Sequence, residues 1–504
     1  MSEVIGIITR QSENIINNFN PTVLFPVITV FLLVVFFLYY IRIIKPVSGT
    51  FEWISMEVNK AKLTAIPIRH SLEKKDAVPL IIIATVFSAI AAFPLFATLP
   101  LSGITASQPQ GAFANIYEQS GALLAITNSL GMTPLSRNII GIALGILMLL
   151  VMYIFIKNMF GITAAATCGT LLLGFDFMRY VQSNVAMADI YAVTFILLAY
   201  FFMYRYVTVD VDAPIKKGIL PLALSGFFFG LSLAAMWVTV FAVIGLKLIM
   251  IIKLAGVAKH YRLNKKRGYG AYLVKTDLLL LLFFGIVPAI LICLSYISYG
   301  IEQGMTLQGG MLTSGEYYRS IISNLTAVFS YHYTPDAAQL TPGAAQQFSS
   351  VWWQWILNSR PVLFFDYVFG ATRTTVASFG NPVVWWGGIA AMLVMAVRVF
   401  SHRDNRALMI LIGYLASVLP WVLATRPAFI YQYFPATLFI VLALAHIFST
   451  ILDLKRERCN AAVYSFTIAT GLVFALFYPA MTGIYMSSWY FGNLLRWIPG
   501  LWPF

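Results

Sequence analysis

The sequence predicts an all-α polytopic membrane protein, a bundle of about twelve transmembrane helices with external loops forming the site. Three observations carry this. The 504 residues are 60% hydrophobic and only 10% charged, with a mean hydropathy of +0.82. Apolar runs of about 18 residues or more recur from end to end. Lys and Arg gather in alternate short loops, as the positive-inside rule requires of a chain that threads back and forth. The net charge of +14 therefore reads as a topology signal and a contact to anionic lipid head groups, with no nucleic-acid partner. Cys168, Cys293 and Cys459 lie in or beside apolar runs and suggest neither a disulfide framework nor a metal site.

Taken in order, residues 1–20 are polar, fit a short interfacial helix and lack the basic start of a removable signal peptide. A first span near 22–44 leads into a loop at 45–76 whose Lys60, Lys62, Arg69, Lys74 and Lys75 place it inside. The span near 77–97 then leaves for an external loop, 98–136, whose only acid is Glu118. Spans near 137–156, 160–176, 188–204, 219–236, 238–255 and 277–299 follow, with Lys157 in the tight inside turn between the first two, and the Lys/Arg cluster from Lys253 to Lys275 is the strongest inside signal. A long external segment, 300–382, precedes four spans near 383–399, 407–424, 428–450 and 461–484. The expected modules are 1–76, 77–299, 300–382 and 383–504, with both termini outside.

Between two apolar runs stands Phe175-Asp-Phe-Met-Arg-Tyr-Val-Gln-Ser-Asn-Val-Ala-Met-Ala-Asp-Ile-Tyr191. Ionisable groups at membrane depth cost about 2.5–3.5 kcal/mol each, so they face partners or a wet cavity. Asp176, Arg179, Gln182, Asn184 and Asp189 thus mark a polar working face at the external mouth, or a solvated turn at the bilayer surface. Simpler roles stand beside these: Asp176 and Arg179 pairing across a helical turn, Asp189 capping the following helix, Arg426 snorkelling to head groups. In 300–382, the tryptophans of Ser349-Ser-Val-Trp-Trp-Gln-Trp355 fit an interfacial belt, whereas His332, Arg360 and Asp366 are not what a belt needs.

Several strings recur in a recognisable order: Asp176-Phe-Met-Arg-Tyr-Val-Gln-Ser, Ala186-Met-Ala-Asp189, Gly230-Leu-Ser-Leu-Ala-Ala-Met-Trp237, Ser349-Ser-Val-Trp-Trp-Gln-Trp-Ile, Arg360-Pro-Val, Gly380-Asn-Pro-Val-Val-Trp-Trp386, Gly413-Tyr-Leu-Ala-Ser-Val-Leu-Pro-Trp421 and Arg426-Pro-Ala-Phe-Ile-Tyr-Gln-Tyr-Phe-Pro435. Together, from about residue 90 onward, they resemble the bacterial protein O-mannosyltransferases of the GT-C class. The resemblance implies a GT-C-like membrane body in the bacterial plasma membrane with its site on the external face. It implies a polyprenyl-phosphate-linked sugar as donor, mannose above others, and an acceptor protein's Ser or Thr hydroxyl. A related membrane subunit is a further partner consistent with it.

Such transfer needs a carboxylate for the acceptor's proton and cations for the departing phosphate. The family takes its carboxylate from an Asp-Glu pair in the first external loop, followed by His-Pro-Pro. Here that loop offers Glu118 alone, in Tyr117-Glu-Gln119. Arg137, in Pro134-Leu-Ser-Arg, matches the family's arginine at the next span, and Asp176, Gln182, Asp189, His332, Arg360 and Arg426 keep matching places. Asn184 and Gln432 replace an arginine and a histidine, and Gln346-Gln347 replaces a His-Pro. Glu118 or Asp176 is thus the expected base. Arg137, Arg360 and Arg426 are expected at the phosphate, with Arg179, Gln182, Asp189 and His332 completing the binding set. No metal is expected, since the external loops hold no Asp-x-Asp. A catalytically silent relative that binds lipid or a partner is the alternative. A transporter is a third class, against which stands the lack of an inverted repeat.

Overall fold

In the computed structural model, residues 26, 28–37, 69–97, 134–185, 187–333, 348–424 and 428–504 are described. The helices are α1 (Ile28–Phe37), α2 (Ala77–Ala97), α3 (Pro134–Phe160), α4 (Thr163–Gly174), α5 (Phe177–Val185), α6 (Ala188–Val207), α7 (Lys216–Ala235) and α8 (Ala242–Leu263). They continue with α9 (Tyr269–Ser295), α10 (Gly315–Tyr333) and α11 (Trp352–Ile356). After a hairpin of β1 (Val362–Phe369) and β2 (Thr372–Ser378) come α12 (Pro382–His402), α13 (Asn405–Val422), α14 (Phe434–Asp453), α15 (Glu457–Thr482) and the short strand β3 (Met486–Ser487).

Among the described residues ten helices are long and apolar enough to cross a membrane, and the apolar α1 and α4 are shorter. These twelve correspond to the expected spans, but the expected span at 160–176 is a twelve-residue helix, α4, too short to cross at 1.5 Å per residue. The polar stretch after it is no surface turn: it is α5, and all nine of its residues are buried.

The bundle is built around α14, where nearly every side chain from Phe434 to Leu452 is buried. α4 lies against it, and its Ala165, Ala166 and Gly169 permit that approach. Where lipid tails are as apolar as leucine, small residues at the contact gain packing that large ones would block. α6 is almost as enclosed, packed on α7 and α3. By contrast α9 turns Leu278, Leu281, Ile290 and Leu294 outward, as a lipid-facing helix does.

A sheet was not expected in the 300–382 segment. β1 pairs antiparallel with β2, β2 with β3, and a bulge lies between Leu363 and Phe365. Asp366 accepts both forks of Arg373, at 2.7 and 2.9 Å, across the hairpin, and Arg373 also donates to the carbonyl of Pro503 at 2.7 Å. The tryptophans divide: Trp353 is half exposed, whereas Trp355 and Trp385 are buried.

The basic end of the bundle is internally paired. Lys157, fully buried, donates to Glu73 at 2.8 Å, to the Gly161 carbonyl at 2.9 Å and to Thr163 at 3.0 Å, and lies 3.4 Å from Asp76. Asp76 in turn accepts the hydroxyls of Tyr153 and Thr163, both at 2.8 Å. Residues expected only as loop charges thus staple α2 to α3 and α4. Nearby, Asp404 is the N-cap of α13, accepting from the amides of Arg406 and Ala407. Burial works to raise its pKa, but the His446 hydrogen bond and the Arg398 guanidinium outweigh burial and hold it well below the usual carboxylate range, so it stays ionised.

Removing one partner of a buried ion pair strands the other. Lys157→Met is expected to destabilise the protein by about 3 kcal/mol, read as a lower unfolding temperature in detergent. Adding Asp76→Asn should restore part of the loss, because the stranded charge is then gone.

Candidate active site

At the end of the bundle opposite the basic cluster, two helix N-caps meet. Asp176 precedes α5, and its Oδ1 accepts the Arg179 amide at 3.1 Å, the bond of an N-cap. Asn381 precedes α12, where Pro382 fills the first helical position and the Asn381 Oδ1 accepts the Val383 amide at 3.1 Å. Each cap also reaches the other's element. The Asn381 amide donates to Asp176 Oδ2 at 3.2 Å, and its side chain donates to the Phe175 carbonyl at 2.9 Å and to the Thr470 carbonyl of α15 at 3.1 Å. The Trp385 indole adds a third donor to Asp176, at 3.0 Å.

Arg179 does not pair with Asp176 through its side chain. Its guanidinium caps the other end of the kink, donating to the carbonyls of Leu173 at 2.9 Å and Gly174 at 2.7 Å, with the Phe87 ring 5.5 Å away. Those are the orphan carbonyls at the C-terminus of α4, and a cation there also suits the helix dipole. One short polar string thus ends one helix and starts the next.

The frame extends outward through Asn358, in the left-handed region at φ 55°. Its side chain brackets Gly380, donating to the carbonyl at 2.7 Å and accepting from the amide at 3.1 Å. Position 380 admits no side chain, because a Cβ there would fall 1.9 Å from the Trp385 ring. Asn358 is held in turn by the Trp502 indole at 2.9 Å. Two residues on, half-buried Arg360 donates from Nη1 to the Ser349 carbonyl at 3.2 Å. Ser350 exchanges two backbone hydrogen bonds with Ala428, at 2.8 and 3.0 Å. A guanidinium carries five N–H donors, and the described residues take one of Arg360's.

The structure thus joins Asp176 and Arg179 to Asn381, Gly380 and Asn358 in one hydrogen-bonded frame, while Arg360 follows Asn358 by two residues and bonds instead to Ser349. Gln182 and Asn184 lie on buried α5; among the described residues, Gln182 Oε1 and Asn184 Oδ1 have no donor. Asp189 is buried in the first turn of α6, one residue inside the helix rather than at the cap, which is Met187. Arg137 is in the first turn of α3. That helix meets α5 closely, since a Cβ on Gly145 would lie 2.8 Å from the Ser183 Cβ. His332 lies in the last turn of α10. Glu118 and Arg426 lie outside the described residues. Asn381, Trp385 and Asn358 were not anticipated as members of the frame. Asn-Pro before an apolar run was the available signal for Asn381, as it marks a helix start; the other two depend on contacts distant in sequence.

The description "Dolichyl-phosphate-mannose-protein mannosyltransferase" belongs to a family model matching residues 127–299. A second model, the C-terminal four-transmembrane region of protein-O-mannosyltransferase, matches 328–500. A polyprenol-phosphate-mannose–protein mannosyltransferase of Corynebacterium glutamicum is 22% identical over 410 residues, covering 73% of this chain and 78% of that one. Its namesake in Mycobacterium tuberculosis is 29% identical over 192 residues, 34% of this chain and 36% of that one. The fold is similar to that of the Saccharomyces cerevisiae protein O-mannosyltransferase Pmt1–Pmt2 complex bound to the sugar donor. The TM-score is 0.68 at 13% identity, covering 87% of this chain and 94% of that one.

Because Asp176 accepts three buried donors, Asp176→Asn turns an amide N–H₂ toward donors that need an acceptor. Each unmet donor costs about 1–3 kcal/mol. Asp176→Asn should therefore lower the unfolding temperature in detergent markedly. Adding Trp385→Phe, which removes one of the opposed donors, should cost less than the sum of the two single changes. A wild-type melting temperature for Asp176→Asn would contradict the capping role.

Proposed function

The chain belongs to the protein O-mannosyltransferase family, and we propose that it transfers mannose from a polyprenyl-phosphate carrier to hydroxyl groups of an acceptor protein. The observation that carries this reading is the meeting of the two caps. Asp176 lies in the region matched by one family model and Asn381 in that matched by the other, so the frame joins both signatures at one end of an integral membrane bundle. By its distance from the basic loops that end faces outward, in the bacterial plasma membrane.

In the transfer the acceptor oxygen attacks the anomeric carbon, the bond to the phosphate oxygen breaks, and polyprenyl phosphate leaves. The acceptor's proton must go to a base as its oxygen bonds, and negative charge on the leaving phosphate must be held. Glu118 is the base in this reading, as the one acid of the 98–136 loop. Arg360, which makes one hydrogen bond among the described residues, offers its other N–H donors to the phosphate, joined by Arg137 and Arg426. Gln182 Oε1 and Asn184 Oδ1, acceptors without a donor among the described residues, suit sugar hydroxyls. Asp176 enters as a positioning residue, its carboxylate already committed to three donors. Nothing in the fold or the comparisons favours a silent relative.

The test is mannose transfer from radiolabelled polyprenyl-phosphate mannose to an acceptor peptide by purified protein in detergent. Glu118→Gln is expected to reduce transfer about 100-fold or more without changing the melting temperature, the scale of a lost general base. Arg360→Met should reduce it about tenfold to 100-fold. Asp176→Asn should lose activity only as it loses folded protein. A well-folded wild type that binds the donor and transfers nothing would overturn the reading.

A further inference from the structure

At the basic end, away from the transfer site, a cleft open at its mouth lies where α6 ends and α7 and α9 begin, against the middle of α8. Its wall includes Tyr206, Asp210, Gly218, Lys253, Tyr272 and Thr276. We propose that this cleft binds the phosphodiester head group of a membrane phospholipid.

The central observation is Lys253. Its side chain lines the cleft although the residue is only 8% exposed. The ammonium donates to the carbonyls of Val207 at 3.0 Å and Val209 at 2.6 Å. Those bonds cap the C-terminus of α6, and a lysine there suits the helix dipole. An ammonium has three protons, however, and the described residues take two. Carbonyls solvate the cation without neutralising it, and Asp210 on the same wall makes no hydrogen bond to it among the described residues, so the third proton is left for an anion. A phosphodiester carries one negative charge and accepts the remaining proton.

The surroundings favour such an anion. Residues 205–217 and 253–277 together hold ten Lys and Arg against three Asp. One of these acids, Asp212, is already taken by Lys266 and by His260 at 3.1 Å. Asp210 remains on the cleft wall beside Lys253. A buried cation with a carboxylate close by matches a zwitterionic head group, phosphate toward the lysine and ammonium toward the aspartate. The shape favours a lipid over free phosphate: beyond the cleft the outward faces of α7 and α9 present Leu220 at 66% and Leu278 at 62% exposure. Acyl chains would lie along that wall while the head group stays at the level of the helix ends.

The experiment is a titration of delipidated full-length protein with short-chain phosphatidylethanolamine, followed by native mass spectrometry and melting temperature. Parallel arms use phosphatidylglycerol and inorganic phosphate. Phosphatidylethanolamine is expected to bind and raise the melting temperature, and Lys253→Met to weaken binding about tenfold, the scale of a lost charge-assisted bond. Should Lys253→Met fail to fold, the exposed pair Lys216→Gln with Lys217→Gln, between the lining residues Ile215 and Gly218, should weaken binding about fivefold or more. Equal lipid binding by wild type and variants would overturn the proposal. So would inorganic phosphate displacing the lipid at equal concentration, which would mark a free-anion site. Tighter binding of phosphatidylglycerol than of phosphatidylethanolamine would overturn the role given to Asp210.

Discussion

Asp176 and Asn381 each cap their own helix and each bond to the other's chain. This reciprocity is the constraint on which the outer end of the protein depends. A cap alone stabilises a helix by about 1 kcal/mol; two caps that share atoms also fix where those helices start relative to each other. Asp176 decides where α5 begins, Asn381 where α12 begins, and the bond of Asn381 to the Thr470 carbonyl brings α15 to the same point. In a membrane, where no hydrophobic force drives one helix against another, buried polar contacts with every partner satisfied are among the few interactions that specify register.

Charge is handled differently at the two ends. At the basic end the buried Lys157 pairs with buried Asp76 and exposed Glu73, and Asp404 pairs with Arg398 and His446. At the outer end Arg179 is spent on helix-terminal carbonyls, while Arg360 makes one hydrogen bond among the described residues. The proposed transfer of a phosphate-linked sugar would use that asymmetry, a frame whose charges are satisfied and a cation with donors to spare.

Most of the membrane body was legible in the sequence because hydropathy is local. The expected spans near 188–204, 383–399 and 428–450 agree closely with helices Ala188–Val207, Pro382–His402 and Phe434–Asp453. The short α4 was not legible, because Phe175 continues an apolar run across a helix break that only the Asp176 cap and Arg179 side chain create. The hairpin was missed for a related reason. Val362–Phe369 is rich in aromatic residues beside apolar spans, and such residues serve an interfacial belt as readily as a strand. Its cross-strand partner Arg373 decides between them. Asp76 and Lys157 read as loop charges because burial depends on each finding the other across a long stretch of chain. Within the candidate site the motif-bearing residues Asp176 and Arg360 were visible, but Asn358, which ties their surroundings together, carries no local mark.

The hydrogen bond from the Trp502 indole to the Asn358 carbonyl has a consequence for synthesis. Asn358 brackets Gly380, and Gly380 precedes the cap that Asp176 grips, so the frame closes only after residue 502 has left the ribosome. Arg373 is likewise complete only once Pro503 is present. The helices of the first matched half are made long before that, and they wait in the bilayer without the outer clamp. The outer clamp is thus the last part of the bundle that synthesis can complete, and a chain stopped before Trp502 would keep its helices while lacking both of these bonds.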